Sequence, residues 1–307
     1  GVDIFYVLSG FLITTLLLRE REKYGNVSFK GFYVRRFFRI IPVYMAVLAV
    51  YIPVIRLMHD HVRWAELKIA LPYLLTFTQE FRPAASGTIF GHSWTLGYEE
   101  KFYLVWPLLL IALCAFRKLL SPALCALSCI ILMAPAQTAR SYGGLFLGSL
   151  LAISLARENG GRIQRLLLQI SPLGAIAIMA VGYVCVSYQP RLVLLFSMGA
   201  CALTASLVLR PSRIRRIFEN RVLVLFGKRS YAMYLVHALA LNFTEMIAPK
   251  VHLLQWYVVI PSAYLLSFAA STGLYYLIER PCIEFGRALS RKIRRGIAQP
   301  AAEPLPA

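Results

Sequence analysis

The sequence predicts an all-α fold, a polytopic bundle of transmembrane helices. Of its 307 residues, 59% are hydrophobic and only 15% are charged, and the mean hydropathy is +0.64. Few soluble domains have such a composition. Apolar runs of roughly 18 to 20 residues recur along the chain, which is the length that a helix needs to cross the hydrocarbon core of a bilayer. Most charged residues lie in short segments between these runs.

Nine apolar runs are candidates for spanning helices. They cover residues 4–18, 38–57, 102–116, 119–137, 142–156, 168–187, 192–209, 230–247 and 256–278. A shorter amphipathic or re-entrant segment is predicted at 69–77. Residues 296–307 are rich in Pro and Ala and have no apolar period. We therefore predict one transmembrane domain, residues 1–295, followed by a disordered tail.

The distribution of Lys and Arg predicts how the chain is oriented in the membrane. When the nine runs are threaded alternately through a bilayer, 25 Lys and Arg fall on the side of residues 19–39 and 8 fall on the other side. Short cytoplasmic loops carry the excess of positive charge in membrane proteins. We therefore expect residues 19–39 and the carboxyl terminus to be cytoplasmic, with His92 and Glu99 facing the outer side.

The net charge of +19 does not indicate a nucleic-acid-binding protein. The cations lie in loops between apolar runs, where they orient the helices. The expected partner is the lipid bilayer. The six cysteines form no Cys-x-x-Cys pair and lie mostly in or beside apolar runs, so we expect neither a disulfide framework nor a metal site.

Three ionisable residues, His92, Glu99 and Glu100, stand at the mouth of a strongly apolar run. Polar groups there are costly unless they line a cavity or pair with each other. His92 is suited to take a proton from a hydroxyl, and the carboxylate of Glu99 is suited to tune it. On a helix the two would share a face without touching. The alternative is an interfacial belt of Trp, Tyr and charges that anchors a helix end.

Other polar positions have structural interpretations beside functional ones. Asp3, at the mouth of the first run, either needs a partner in the membrane or lies at the interface near a helix N-terminus. A lone membrane histidine such as His237 more often forms an interhelical hydrogen bond than takes part in catalysis. We interpret Glu279 and Arg280 as an ion pair, followed by Pro281 as a helix stop.

Arg35, Arg36 and Arg39 lie among aromatic residues at the entrance to the second run. On a helix, Arg36 and Arg39 fall on one face. Guanidinium groups bind phosphates through two hydrogen bonds, so such a pair is suited to a phosphorylated cofactor. Contact with lipid phosphates explains the spacing equally well.

Five blocks, spread over nearly the whole chain, carry a family resemblance. They are GVDIFYVLSGFL at 1–12, FYVRRFFRIIP at 32–42, HSWTL at 92–96 with Glu99, Glu100, Phe102 and Tyr103, GKRSY through YLVH at 227–237, and IERP at 278–281. In this order they resemble the acyltransferase-3 family of membrane-bound O-acyltransferases.

The resemblance implies transfer of an acyl group, usually acetyl, from cytoplasmic acyl-CoA to a hydroxyl of a cell-surface or secreted sugar. Acyl-CoA is the expected donor, and a carbohydrate or glycosylated molecule is the expected acceptor. The inner (plasma) membrane is the expected location. Arg36 and Arg39 match the paired arginines that are thought to engage CoA in this family, and Arg35 stands beside them.

The blocks that contain Asp3, His92 and Glu99 match the outer end of the family's pore, where the sugar is expected to arrive. These three residues are therefore the expected catalytic residues. The reaction needs a base for the acceptor hydroxyl and hydrogen-bond donors for the developing oxyanion. The expected contacts to the acceptor are Trp94, Tyr103 and His237.

Members of this family carry a further helix before the Gly-Val-Asp block, with a basic residue and, eleven positions later, a histidine. This chain starts after it, so the resemblance implies a truncated form with nine of ten helices, in which Asp3 is expected to have that histidine as its usual partner. Two alternatives to an active enzyme stay open. One is a non-enzymatic carrier of lipid-linked sugar, which needs no paired arginines at the cytoplasmic entrance, and the other is a truncated, inactive paralogue.

Overall fold

The computed structural model describes residues 1–57, 61–82, 90–115, 136–156, 162–189, 192–210, 213–247 and 256–298, together with residues 127, 131, 133 and 134. Within these ranges the regular structure is helical, without strands. The helices are α1 (Val2–Tyr24), α2 (Phe29–Leu57), α3 (His61–Leu75), α4 (Trp94–Ala115), α5 (Ala136–Leu155), α6 (Arg162–Gln169), α7 (Pro172–Val186), α8 (Val193–Leu209), α9 (Arg213–Phe218), α10 (Arg221–Ile247), α11 (Trp256–Leu274) and α12 (Arg280–Ala298). Short 3₁₀ turns occupy Gln79–Phe81 and Gly91–Ser93, and a π-helical turn occupies Tyr275–Glu279.

The helices confirm the predicted class, a helical multi-pass membrane protein. In the described part of the chain, three helical stretches are long and apolar enough to cross a bilayer: Val2–Tyr24, Phe29–Leu57 and the 40-residue stretch Trp256–Arg295. The helices Pro172–Val186 and Val193–Leu209 are apolar but shorter. The number of nine spans stays a prediction, since most of the run at 119–137 lies outside the described residues.

Several helix boundaries differ from those predicted; α2, α4 and α10, for example, begin eight or nine residues before the runs at 38, 102 and 230. The run at 168–187 is broken at residues 170 and 171, because the Ser171 hydroxyl accepts a hydrogen bond from the Gly174 N–H and Pro172 occupies the first position of α7. Such a cap begins a new helix instead of continuing the old one. The amphipathic segment expected at 69–77 belongs to α3, which begins eight residues earlier, at His61.

The interpretation of Pro281 as a helix stop is wrong. The chain continues from α11 through the π-helical turn Tyr275–Glu279 into α12, which contains Pro281 and ends at Ala298. Pro281 has no N–H to donate to a carbonyl in the preceding turn, and a widened turn just before the proline relieves the clash of its ring. Residues 296–298, predicted as the start of a tail, are helical, and residues 299–307 lie outside the described part.

The chain divides into two compact units, which are described separately. Unit 1 comprises Gly1–Val27 and Thr95–Asn220, and unit 2 comprises Ser28–Trp94 and Arg221–Ala307. The predicted catalytic residues are therefore divided, with Asp3 and Glu99 in unit 1 and His92 in unit 2.

In unit 1, α1 packs closely along α5. The backbones approach so closely that a Cβ on Gly10 would lie 1.9 Å from the Leu145 oxygen, and one on Gly148 would lie 2.0 Å from the Val7 oxygen. Small residues permit such contact between membrane helices. A buried hydrogen bond between Thr14 and the hydroxyl of Ser149 also joins the two helices.

In unit 2, α2 packs against α12, and α10 packs against α11. Gly286 lets α12 approach α2 closely, since a Cβ there would lie 2.7 Å from the Cβ of Phe38. The hydroxyl of Tyr231 on α10 donates to the Ile40 carbonyl of α2 over 2.9 Å. These contacts bring the start of α2 next to α10 and to the π-helical turn.

Candidate functional site

Asp3 is buried in the first turn of α1, with only 6% of its surface exposed. Arg140 on α5 donates two hydrogen bonds to its carboxylate, at 2.6 Å from Nε to Oδ1 and 2.8 Å from Nη2 to Oδ2. Two-point pairing of this kind holds a carboxylate in a defined orientation. The structure therefore supplies the partner that the position of Asp3 requires.

Glu99 is also buried in unit 1, at 2% exposure, on α4. The hydroxyl of Tyr103, one turn further along, donates to Glu99 Oε2 over 2.9 Å. The hydroxyl of Ser9 on α1 lies 2.5 Å from the same tyrosine oxygen. Because the single phenolic proton points to Glu99, Ser9 must donate to Tyr103. The three side chains form a directed chain of hydrogen bonds that ends on the carboxylate.

Tyr103 was predicted to contact the acceptor, and the structure places it beside a predicted catalytic residue. Its ring is buried and its hydroxyl connects Ser9 with Glu99. The hydrogen bond from Tyr103 therefore restrains the orientation of the Glu99 carboxylate.

His92 lies in the 3₁₀ turn Gly91–Ser93 of unit 2, immediately before α4. Its Nε2 is 3.2 Å from the Leu235 carbonyl on α10, and its own carbonyl accepts a short hydrogen bond from the Tyr234 hydroxyl. A carbonyl only accepts, so Nε2 carries the proton and Nδ1 keeps the lone pair in the neutral ring. That arrangement suits His92 to act as a general base.

Burial keeps His92 in the neutral form. Removal from water, and after it the nearby His237, lower its pKa from 6.5 to about 4, while the hydrogen bond with Leu235 opposes the shift. At neutral pH the ring is therefore uncharged, with its lone pair on Nδ1.

His237 is exposed and lies beside His92, with 4.8 Å between ring centroids. Its Nδ1 is 2.5 Å from the Tyr234 carbonyl of its own helix. This bond stays within α10, so it is not the interhelical hydrogen bond that is common for a lone membrane histidine. Trp94 is half-buried as the first residue of α4.

A cavity of about 580 Å³ opens in unit 2 between α2, α10, the π-helical turn and α12. Ligand pockets are commonly of this size, roughly 300–1,000 Å³. Six charged residues line it: Arg39, Lys228, Arg280, Arg287, Glu279 and Glu284. Glu284 pairs with Arg280 over 2.9 Å. Among the described residues, Arg39, Lys228 and Arg287 have no carboxylate within ion-pair distance, although the charge of Arg39 acts on Glu279. The four cations and two carboxylates give the cavity wall an excess of positive charge.

Of the three arginines predicted to bind a cofactor, only Arg39 lines this cavity. Arg35 donates to the Ser290 hydroxyl of α12 over 2.5 Å. Arg36 lies over the ring of Phe32, 5.8 Å from its centroid. Because α2 begins at Phe29, all three lie near its start, but each makes a different contact.

Glu279 closes the π-helical turn and is 2% exposed. The predicted ion pair with Arg280 is wrong, because Arg280 binds Glu284 one turn further along. Oε2 of Glu279 has no hydrogen-bond partner among the described residues. Burying a carboxylate oxygen without a hydrogen bond costs free energy, so Glu279 needs an explanation that the described residues do not supply.

Residues outside the predicted set complete these arrangements: Arg140 beside Asp3, and Lys228, Glu279 and Arg287 in the cavity. Arg140 is one of the eight Lys and Arg residues predicted on the outer side, and its position beside an apolar run is the signal that it needs a partner. The spacing of residues 280, 284 and 287 places them on one helical face, and this period was the available signal for Arg287. No group of three His, Cys, Asp or Glu side chains suited to a metal ion occurs in the described ranges.

Comparison with known proteins gives one family match and several relatives. A family model described as "Acyltransferase domain" matches residues 1–279. "Putative O-acetyltransferase SACOL0978" of Staphylococcus aureus (strain COL) is 27% identical over 288 aligned residues, covering 80% of this chain and 46% of that protein. "Putative peptidoglycan O-acetyltransferase YrhL" of Bacillus subtilis is 26% identical over 330 aligned residues, covering 95% of this chain and 52% of that protein.

A third relative, "Peptidoglycan O-acetyltransferase OatA" of Listeria monocytogenes, is 32% identical over 127 aligned residues, covering 38% of this chain and 20% of that protein. The chain spans about half the length of the first two relatives. No solved structure matches the chain.

Proposed function

Because the chain belongs to the acyltransferase family whose model covers residues 1–279, we propose that it is a membrane O-acyltransferase that moves an acetyl group from acyl-CoA to a sugar hydroxyl. Its relatives carry the names of O-acetyltransferases, two of them of peptidoglycan. We therefore propose a carbohydrate of the cell envelope as the acceptor. The inner (plasma) membrane is the proposed location, with the carboxyl terminus in the cytoplasm.

The cationic cavity around Arg39 is the observation that supports a CoA donor. CoA carries phosphate groups, and Arg39 with its neighbouring cations offers charge-assisted hydrogen bonds to them. Guanidinium is the side-chain group best matched to phosphate oxygens. The excess of Lys and Arg in the segments on the same side as residues 19–39 supports a cytoplasmic position for this cavity, where acyl-CoA is made.

His92 is the proposed base for the acceptor hydroxyl. Its neutral ring takes the hydroxyl proton on Nδ1 while the hydroxyl oxygen attacks the thioester carbonyl. The C–S bond then breaks, the ester forms, and CoA leaves as the thiol after receiving the proton. The reaction also requires hydrogen-bond donors near His92 that stabilise the oxyanion formed in the attack.

The distance between donor and base supports this scheme within unit 2. Lys228, in the cavity wall, and Leu235, which contacts His92, lie seven residues apart on α10. Seven residues of helix span about 10 Å. The flexible pantetheine arm of CoA is long enough to carry a thioester over that distance while its phosphates stay in the cavity.

The decisive test is the transfer of radiolabelled acetyl from acetyl-CoA by the purified protein in lipid vesicles that contain a peptidoglycan-type acceptor. Arg39→Ala is expected to raise the KM for acetyl-CoA at least tenfold without changing insertion into the membrane. Arg291→Ala is the matched control, because Arg291 is exposed on α12 and does not line the cavity. Vesicles that move lipid-linked sugar with no dependence on acetyl-CoA would instead support a carrier.

A further inference from the structure

We propose that the cavity binds the nucleotide end of the acyl donor, with Lys228 and Arg287 joining Arg39 on the phosphates and Glu279 accepting a hydrogen bond from the amino group of adenine. This assignment rests on acyl-CoA as the donor, as proposed above. It gives roles to three residues outside the arginine cluster of α2.

The charge of the cavity exceeds what one phosphate would need. Glu284 neutralises Arg280, and the remaining lining consists of three cations, Arg39, Lys228 and Arg287, against the carboxylate of Glu279. CoA carries a diphosphate and a 3′-phosphate on its adenosine. A set of three cations is matched to such a ligand, whereas Arg39 alone leaves most of the phosphate charge without a partner.

Glu279 indicates that the ligand carries a hydrogen-bond donor in addition to phosphate. A carboxylate in the wall repels phosphate, so it lowers affinity unless it faces a part of the ligand that donates a hydrogen bond. Glu279 is 2% exposed, and its Oε2 accepts no hydrogen bond from any described residue. The exocyclic amino group of adenine is a donor of the required kind. The charge of Arg39 acts on Glu279 but supplies no hydrogen bond to Oε2. A ligand with both phosphates and an amino-bearing base offers partners to the cations and a hydrogen bond to that oxygen.

The π-helical turn Tyr275–Glu279 brings both of its end residues into the cavity wall. The buried guanidinium of Arg229 lies 5.3 Å from the centroid of the Tyr275 ring and donates to the Tyr276 hydroxyl over 3.2 Å. This contact fixes the turn on the α10 side, and Glu279 follows at its end.

Adenosine 3′,5′-bisphosphate is the probe that tests the phosphate part, because it lacks both the pantetheine arm and the thioester. It is expected to displace labelled acetyl-CoA from the purified protein in detergent. Lys228→Ala and Arg287→Ala should each weaken its binding roughly tenfold or more, the scale of a charge-assisted hydrogen bond. Arg291→Ala should leave binding unchanged. Full binding by both cavity variants would overturn the assignment of Lys228 and Arg287.

Inosine 3′,5′-bisphosphate tests Glu279, since it has an oxygen where adenine has the amino group. The wild-type protein is expected to prefer the adenosine compound roughly tenfold or more, because two acceptors would otherwise face each other. Glu279→Gln should lose this preference, as an amide donates to the oxygen. A purely structural role for Glu279 would weaken both compounds equally, and equal wild-type affinities would overturn the proposal. An unchanged melting temperature of Glu279→Gln shows that the comparison is made on folded protein.

The two proposals fail in different ways. Acetyl transfer by a protein from which the bisphosphate does not displace acetyl-CoA would overturn the nucleotide site and leave the acyltransferase intact. Binding of the bisphosphate by a protein that transfers no acyl group would retain the site and overturn the enzyme.

Discussion

The imidazole ring of His92 packs edge-on against that of His237, with 4.8 Å between the centroids and 68° between the planes. His92 donates from Nε2 to Leu235, and His237 donates from Nδ1 to Tyr234. His92 thus keeps its lone pair on Nδ1. A second proton on His92 would place a positive charge beside His237, and this neighbour contributes to the lowered pKa of His92.

The acid limb of the activity profile should follow His92. Since its folded pKa is about 4, the rate of acetyl transfer should persist well below pH 6.5, the usual value for histidine. His92→Gln should lower kcat at least a hundredfold, the usual contribution of a general base. Initial rates from pH 4 to 8 measure both effects. His61→Gln, at an exposed position of α3, is the control and should behave as wild type.

The same pKa predicts a dependence of stability on pH. Between about 6.5 and about 4 the unfolded chain binds a proton that folded His92 does not. The stability that neutral His92 contributes is therefore complete above about pH 6.5 and is lost as the pH falls towards 4. Thermal unfolding in detergent at pH 7 and pH 5 should show a larger drop for wild type than for His92→Gln. Equal drops would contradict the assigned pKa.

Tyr103 should act through Glu99. Tyr103→Phe removes the proton donated to Glu99 and the acceptor for Ser9, and it should cost about 1–2 kcal/mol of unfolding free energy. If the orientation of Glu99 matters for transfer, kcat should fall while the KM for acetyl-CoA stays constant, because Tyr103 lies outside the cationic cavity. Ser9→Ala, which leaves the bond from Tyr103 to Glu99, should have the smaller effect on kcat. The reverse order of effects would argue against the directed chain.

Breaking the pair between Asp3 and Arg140 should destabilise unit 1. Arg140→Leu leaves a buried carboxylate without its two-point partner. Because the side chain of Arg140 is 34% exposed, we expect a cost of about 1–3 kcal/mol, below that of a fully buried pair. A double-mutant cycle with Asp3→Asn measures the coupling. Arg215→Leu, which breaks an exposed pair with Glu219, should cost at most about 1 kcal/mol.

Close contact between α1 and α5 should make two glycines intolerant of alanine. The added methyl group would overlap backbone atoms at Gly10 and at Gly148, so the helices must move apart, at a cost of about 1–3 kcal/mol or more for each change. Gly273→Ala on α11 is the matched control, because nothing lies within 4 Å of its added carbon. It should be neutral or raise stability by up to about 1 kcal/mol through helix propensity. Unfolding in detergent compares the three variants.

Much of the fold was predictable because composition and apolar length act locally. The runs that begin at Ile4, Phe38 and Trp256 all lie in helices long enough to span a bilayer. The break at Ser171 was not predicted, because the apolar pattern continues across it and only the cap chemistry of Ser171 and Pro172 reveals it. At Pro281 the error was the opposite one, because a helix end was predicted where the helix continues. A proline predicts a stop, but the π-helical turn that precedes it lets the helix continue.

The sequence predicted several residues of the candidate site, but it predicted few of the contacts that these residues make. Asp3, His92, Glu99 and Arg39 were identified as polar groups that need a reason to be near apolar runs. Their partners come from distant parts of the chain: Arg140 lies 137 positions from Asp3, and Leu235 lies 143 positions from His92. Spacing along the chain carries no information about such contacts.

By itself the sequence determined that the protein is a helical membrane protein of the acyltransferase family, since hydrophobic length, charge distribution and short motifs are local properties of the chain. Only the tertiary structure decided that Tyr103 donates to Glu99 and is itself bonded by Ser9. It also decided that Arg39 shares its cavity with Lys228 and Arg287 and that Arg280 pairs with Glu284 and not with Glu279. The physical reason is that hydrogen bonds and ion pairs act over about 3 Å, and helix packing alone determines which side chains come that close.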